Sequence, residues 1–154
     1  MKGQVSIENY DEATGESRYK IATKWGTFDR TVKCSEEDKD IENRFDGIRF
    51  ARYLCYIDEL RAKARAFDQR AIGMKHAADV LYSIATDEKT IWEVSGDSVL
   101  EVRILAEVAR DQARVLRLTA DTLEKRYPEM VKSVLSTRRD MRQRVANKKK
   151  EENE

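Results

Sequence analysis

The sequence predicts a predominantly helical α+β fold, in which a three-stranded antiparallel meander precedes a long, coiled-coil-like antiparallel helical hairpin. Two runs of apolar residues predict the hairpin, because their spacing alternates between three and four residues, as on one side of a long helix. The first run extends from Phe50 to Ala85 and the second from Val99 to Tyr127. Before residue 35, apolar and polar residues instead alternate singly, which is typical of strands.

Residues 1–34 are predicted to form the meander. Val5 and Ile7 alternate with polar neighbours, and after a turn Tyr19 and Ile21 do the same. A second turn, at 25–27, leads into a third short strand at 28–34. A sheet of this size is marginal alone, so its apolar side must rest on a helix or on a partner.

Residues 35–85 are predicted to form the first helix, since Ser35 can cap it and the acidic residues that follow suit its positive end. A connector at 86–97 leads to the second helix, 98–146, with a kink near Pro128. Residues 147–154 contain no apolar side chain and are predicted to be a disordered tail. All five segments belong to one domain, as the length of the chain suggests.

Composition narrows the classes of protein that fit. Charged residues make up 38% of the chain, yet the net charge is only +1, which argues against nucleic-acid binding by the whole surface. No segment is apolar enough to cross a membrane or to resemble a signal peptide. The two cysteines are too few for a disulfide framework, so a cytoplasmic protein is expected.

No pattern in the chain indicates catalysis. His76 is the single histidine, and no phosphate-binding glycine motif is present. The acidic residues of the first helix, such as Asp58, lie at ion-pair spacing from arginines and lysines. We therefore expect a protein that is not an enzyme, with no catalytic residue, no metal site and no cofactor.

The second helix predicts self-association. Its apolar stripe is wider than one partner helix can cover, so a homodimer or higher oligomer is expected, although the sheet could cover the surplus instead. The flanking residues that widen the stripe are Ile104, Leu105, Val108, Val115 and Leu118. The residues assigned to the oligomer interface are Ala106, Ala109, Ala113, Leu116, Ala120 and Leu123.

Three further surfaces are candidates for binding. Trp25 and Phe28, with an exposed sheet edge at 5–10 or 28–32, form the candidate surface for a protein partner. A basic C-terminal run is the alternative, and it would hold nucleic acid through Arg138, Arg139, Arg142 and Arg144. A small-ligand pocket between protomers, lined by Arg18, Arg30 and Tyr19, is a third interpretation.

Short motifs between Val5 and Ala85 resemble small phage and prophage proteins of Gram-positive bacteria. They are Gly26-Thr27-Phe28, then Cys34 with the acidic step Glu36-Glu37-Asp38-Lys39-Asp40, and later Phe45-x-Gly47, Ala62-x-Ala64 and Leu81-Tyr82-Ser83. The chain departs from those proteins at Glu36, where they often have a proline, and everything after about Thr86 is an extension. The resemblance implies an accessory phage product that binds a host protein or a nucleotide signal.

Taken together, these patterns predict an oligomeric interaction protein that binds and modulates a host protein, for example as an inhibitor of a defence system. A nucleic-acid-binding accessory protein and a sponge for a small nucleotide signal are the alternatives. The identity of the partner is not encoded in any motif of the chain.

Overall fold

A computed structural model describes residues 4–11, 16–33, 41–85 and 96–151. Within these ranges, the side chains of residues 16, 18–32, 47–84 and 98–151 are described. The elements in chain order are β1 (Gln4–Asp11), β2 (Glu16–Thr23), β3 (Gly26–Lys33), α1 (Ile41–Ala85) and α2 (Gly96–Glu151). The predicted class, a predominantly helical α+β fold with an antiparallel sheet before two long helices, is confirmed.

The sheet has the strand order β1-β2-β3, and both pairings are antiparallel. Val5 lies opposite Ile21, and Ile21 lies opposite Phe28, so these apolar residues occupy one row across the sheet. The tight turn between β2 and β3 depends on Gly26, whose φ of 135° is rarely adopted by residues with a side chain. Residues 12–15, where the first predicted turn falls, lie outside the described residues.

The two helices pack against each other in antiparallel orientation. Near the start of α1, the Tyr53 hydroxyl donates a hydrogen bond to the Leu123 carbonyl at 3.1 Å. Near its end, Arg103 on α2 forms an ion pair with Asp79. Contacts therefore move backwards along α2 as they move forwards along α1, as in a hairpin. At ~1.5 Å per residue, α1 is about 68 Å long and α2 about 84 Å.

The sheet packs against the N-terminal half of α1, and α2 completes the same core. Buried side chains from β2 and β3 meet buried side chains of α1, and partly buried residues of α2 pack against both. The rings of Phe50 and Tyr127 make an edge-to-face contact with centroids 6.3 Å apart. The members from the sheet are Tyr19, Ile21, Val32 and Phe28, and those from α2 include Leu123, Tyr127, Met130 and Val134.

Gly47 on α1 lies in close contact with Tyr19 of the sheet. It is buried, and a β-carbon placed there would overlap the Tyr19 hydroxyl and lie 3.1 Å from the ring carbon Cζ. Tyr19 is only 1% exposed and therefore has little room to withdraw. Because residue 47 has no side chain, the end of the Tyr19 ring fits between β2 and α1.

The predicted end of the second helix needs a correction. The helix includes Pro128 and extends to Glu151, so residues 147–151 are helical rather than a disordered tail. A helix that is already formed adds residues at little cost, and the lysines of its last turn favour its negative end. The predicted start of the first helix at 35–40 and most of the connector at 86–97 lie outside the described residues.

Candidate interaction surfaces of the helical hairpin

One side of the hairpin carries ion pairs that join α1 to α2, and it is called the charged side below. Arg61 donates hydrogen bonds to Asp121 at 3.0 Å and to Glu124 at 2.6 Å. Farther along, the pairs Arg117–Asp68 and Arg103–Asp79 continue the same pattern. These pairs align the two helices with each other, since each cation must meet its carboxylate at the correct height.

The electrostatics of the charged side follow from these pairs. Hydrogen bonds from the Arg61 guanidinium lower the pKa of the Glu124 carboxyl. The same contacts, to Glu124 and then Asp121, raise the pKa of Arg61. Both carboxylates are exposed and Arg61 is partly exposed, so each pair contributes little to the free energy of unfolding. The main effect of the pairs is to fix which residues of α1 lie beside which residues of α2.

The opposite side of the hairpin contains an open apolar groove with a volume of about 480 Å³. Two of its residues, Val108 and Val115 on α2, are 47% and 61% exposed. The residues that line the groove are Lys63, Phe67, Val108, Asp111, Gln112, Val115 and Leu116. This side therefore leaves apolar surface in contact with water.

The helical repeat extends the groove along the hairpin. Positions spaced by three and four residues from Lys63 share its side of α1, and positions spaced in this way from Val108 share its side of α2. On α1 this row contains Ala66, Gly73, Ala77, Val80 and Ile84, with one exposed cation, Arg70, between the first two. On α2 the apolar members of the row are Leu105, Val108 and Val115, and Gln112 lies between the two valines. These two rows and the groove are called the open side.

The open side has room for an incoming helix. A β-carbon at Gly73 would meet no atom within 4 Å, and Ala66 and Ala77 are both exposed. Exposed apolar residues continue around the outer surface of α2, at Leu100, Ile104 and Leu118. Small residues next to exposed apolar ones allow two helical surfaces to approach closely.

The C-terminal part of α2 forms a third surface, residues 138–151, which is called the basic arm. Near the beginning of α1, Phe50 contacts Tyr127, so the first described residue of α1, Ile41, lies at about the height of residue 136. All thirteen residues from 139 to 151 are exposed. The arm is therefore a single helix that projects beyond the described end of α1 by ~20 Å.

Comparison with protein families places the chain. The family described as nuclear protein MDM1 matches residues 38–154, about three quarters of the chain. The chain belongs to this family. The match covers α1, α2 and the basic arm and begins after the sheet. No curated protein and no solved structure is significantly similar to the chain.

Membership of the MDM1 family corrects two predictions. The resemblance to phage and prophage proteins was wrong, because the matching family is described as a nuclear protein and its match includes the part of the chain that had seemed an extension. The motifs behind that resemblance are only three to five residues long, and the later ones lie inside α1, where unrelated helical proteins carry similar patterns. The expectation of a cytoplasmic phage protein is wrong for the same reason.

The six residues assigned to the oligomer interface have a different place in this MDM1-family chain. Ala113 and Ala120 are fully buried within one chain, and Leu116 and Leu123 pack against the core shared with α1. Ala106 and Ala109 are buried as well. All six thus belong to the contact between α1 and α2, and the residues free to meet a second copy are the predicted flanking ones, such as Val108 and Val115.

The residues predicted to bind a protein partner or a small ligand already make contacts within the chain. Phe28 packs against the core, and Trp25 is half-buried with the ammonium groups of Lys24 and Lys63 5.2 and 5.9 Å from its ring. The three residues suggested for a ligand pocket have separate positions. Tyr19 is buried in the core, Arg18 pairs with Asp29 at 3.0 Å, and Arg30 donates to both oxygens of Asp58 at 2.7 and 2.6 Å.

Within residues 4–11, 16–33, 41–85 and 96–151, no group of three or more histidine, cysteine or acidic side chains is arranged to hold a metal ion. None of the helices in that part of the chain is both long and apolar enough to cross a membrane. Sequence reasoning missed the charged side, although acidic and basic residues recur there at helical spacing and could have indicated it.

Proposed function

We propose that this protein is a non-enzymatic interaction protein of the nucleus, whose hairpin self-associates through the open side into a bundle of four or more helices. The observation that supports this proposal is the difference between the two sides of the hairpin. The ion pairs between the described parts of α1 and α2 lie on the charged side, whereas the open side exposes apolar residues to water. Membership of a family described as a nuclear protein supports the nuclear location.

The size of the open side supports a specific contact. From Lys63 to Ile84 it is about 30 Å long, and two adjacent helices are about 20 Å wide, so its projected area is about 600 Å². Stable protein interfaces bury ~800 Å² of accessible surface on each partner. Accessible area exceeds projected area on a ridged helical surface, so the open side is large enough for a stable dimer.

The charges of the groove favour a second copy as the occupant. Lys63 on α1 and Asp111 on α2 both line it, and they lie at different heights along the hairpin. In a dimer with twofold symmetry, the open side of one copy packs against the open side of the other, which is rotated by 180°. Lys63 of one copy can then approach Asp111 of the other, and the reverse pair forms at the same time. An unrelated apolar partner would leave both charges without such a match.

The test replaces Val115 by glutamate. Because Val115 is 61% exposed in the single chain, the folded hairpin tolerates the change, but a carboxylate would be buried at the centre of the proposed interface. Light scattering after size-exclusion chromatography should give a dimer or larger species for the natural chain at micromolar concentration. The Val115→Glu variant should be a monomer with an unchanged circular dichroism spectrum.

Val145→Glu is the matched control. Val145 is 57% exposed and also lies on α2, but it is part of the basic arm and outside the open side. This variant should remain oligomeric. A natural chain that is monomeric at ~100 μM would refute the proposal, and so would a Val115→Glu variant that assembles like the natural chain.

A further inference from the structure

The basic arm concentrates positive charge in a chain whose net charge is only +1. Within residues 138–151 there are seven cations and two carboxylates, Asp140 and Glu151. The cations are Arg138, Arg139, Arg142, Arg144, Lys148, Lys149 and Lys150. Six of these residues are exposed, and Arg138 is partly buried.

Stabilisation of the helix end does not account for this cluster. Cations favour the negative end of a helix only within about its last turn. Lys148, Lys149 and Lys150 occupy the last turn of α2, but the four arginines lie about two to four turns before its end. Interaction with the helix end therefore accounts for the lysines and not for the arginines.

The helical repeat distributes the cations around the arm. At ~100° per residue, Arg138, Arg142 and Lys149 lie along one line, Arg139 and Lys150 lie to one side of it, and Arg144 and Lys148 lie to the other. These positions cover about two thirds of the circumference of the helix. The remaining third carries Asp140, Gln143, Asn147 and Glu151. A flat acidic surface could contact only one of these lines at a time.

We propose that the basic arm binds B-form DNA by lying in the major groove, where it contacts phosphates on both walls. The groove is ~12 Å wide and admits one α-helix, and its two walls carry the phosphates that cations on opposite sides of the arm can reach. Continuous helices that project from a helical bundle into the major groove are an established mode of DNA binding. The binding is sequence-independent, because the contacts are to the backbone.

Other polyanions match the arm less well. Single-stranded nucleic acid is held by stacking on aromatic side chains, and residues 138–151 contain none. The major groove of double-stranded RNA is too deep and narrow for a helix. A membrane-surface helix needs a broad apolar side, whereas the large apolar residues of the arm are only Met141 and Val145. DNA binding does not depend on self-association, since the arm lies outside the open side.

The test is a salt titration of the full chain with a fluorescent duplex of about 20 base pairs, followed by anisotropy. If the seven cations neutralise phosphates, the logarithm of the association constant should fall with the logarithm of salt concentration, with a slope of up to about −6. The variant R138Q/R139Q/R142Q/R144Q should reduce the magnitude of that slope by about 3.6. It should also bind at least a hundredfold more weakly at about 0.1 M salt.

A matched variant removes four cations from the body of the hairpin instead, as K75Q/R114Q/K125Q/R126Q. It has the same net charge as the arm variant and should retain the slope of the natural chain. Equal loss of binding in both variants would refute the arm as the site. The proposal is also overturned if single strands, double-stranded RNA, polyglutamate or vesicles of anionic lipid bind the arm as tightly as duplex DNA.

Discussion

Two glycines of α1 should respond differently to replacement by alanine, which should stabilise the protein at Gly73 and should not stabilise it at Gly47. Gly47 and Gly73 are both inside the same helix, and alanine there favours helix formation over glycine by about 1 kcal/mol. Their surroundings differ, because Gly47 lies against Tyr19 and Gly73 has nothing near it. Comparing the two variants therefore cancels the preference for helix and isolates the cost of the contact.

The structure sets the expected magnitudes. At Gly73 a β-carbon enters open space, so the variant should be more stable than the natural chain by about 0.5–1 kcal/mol. At Gly47 the added carbon overlaps the Tyr19 hydroxyl and lies 3.1 Å from Cζ, and overpacking of this kind costs about 1–3 kcal/mol. Since the helix preference offsets about 1 kcal/mol, Gly47→Ala should range from neutral to about 2 kcal/mol destabilising.

Urea unfolding followed by circular dichroism measures both changes. It should be run at two protein concentrations, so that any contribution from assembly is visible. The free energies of unfolding of the two variants should differ by about 1–3 kcal/mol, with Gly73→Ala the more stable. In a Tyr19→Phe background, which lacks the overlapping hydroxyl, Gly47→Ala should cost less than it does in the natural chain. If Gly47→Ala is as stable as Gly73→Ala, the packing of Tyr19 against α1 is wrong.

Two more predictions concern the contact between the sheet and α1. Asp58→Asn should lower the free energy of unfolding by about 1–2 kcal/mol, because its bidentate pair with Arg30 is partly buried. Asp29→Asn, in the exposed pair with Arg18, should cost below ~0.5 kcal/mol. Equal urea midpoints for these two variants would contradict this difference. Burial, and then the nearby Asp58 carboxylate, raises the pKa of the Cys55 thiol to about 11. Alkylation of Cys55 at pH 8, followed by mass spectrometry of its peptide, should therefore be about two hundredfold slower than for a free thiol and rise tenfold per pH unit up to about pH 10. Reaction at the rate of an exposed thiol would show that Cys55 is not covered by the sheet.

Short-range patterns in the sequence were sufficient for the class and order of the elements. Apolar residues at alternating spacings of three and four predict helices because that spacing keeps them on one side, and single alternation predicts strands for the same reason. The same patterns identified Val108 and Val115 as surplus to the contact between two helices, and both are exposed in the structure. These inferences hold because each depends on residues within a few turns of one another.

The tertiary structure decided which surface remains available. Both the alanine-rich row and the flanking row of α2 are apolar, and only packing against α1 buries Ala113 and leaves Val115 exposed. The pairing of Arg61 with Glu124 brings together residues that are 63 positions apart, so the charged side depends on the register of the hairpin. The basic arm becomes a projecting helix only because α2 continues past the start of α1, and relative helix lengths are a property of the folded chain.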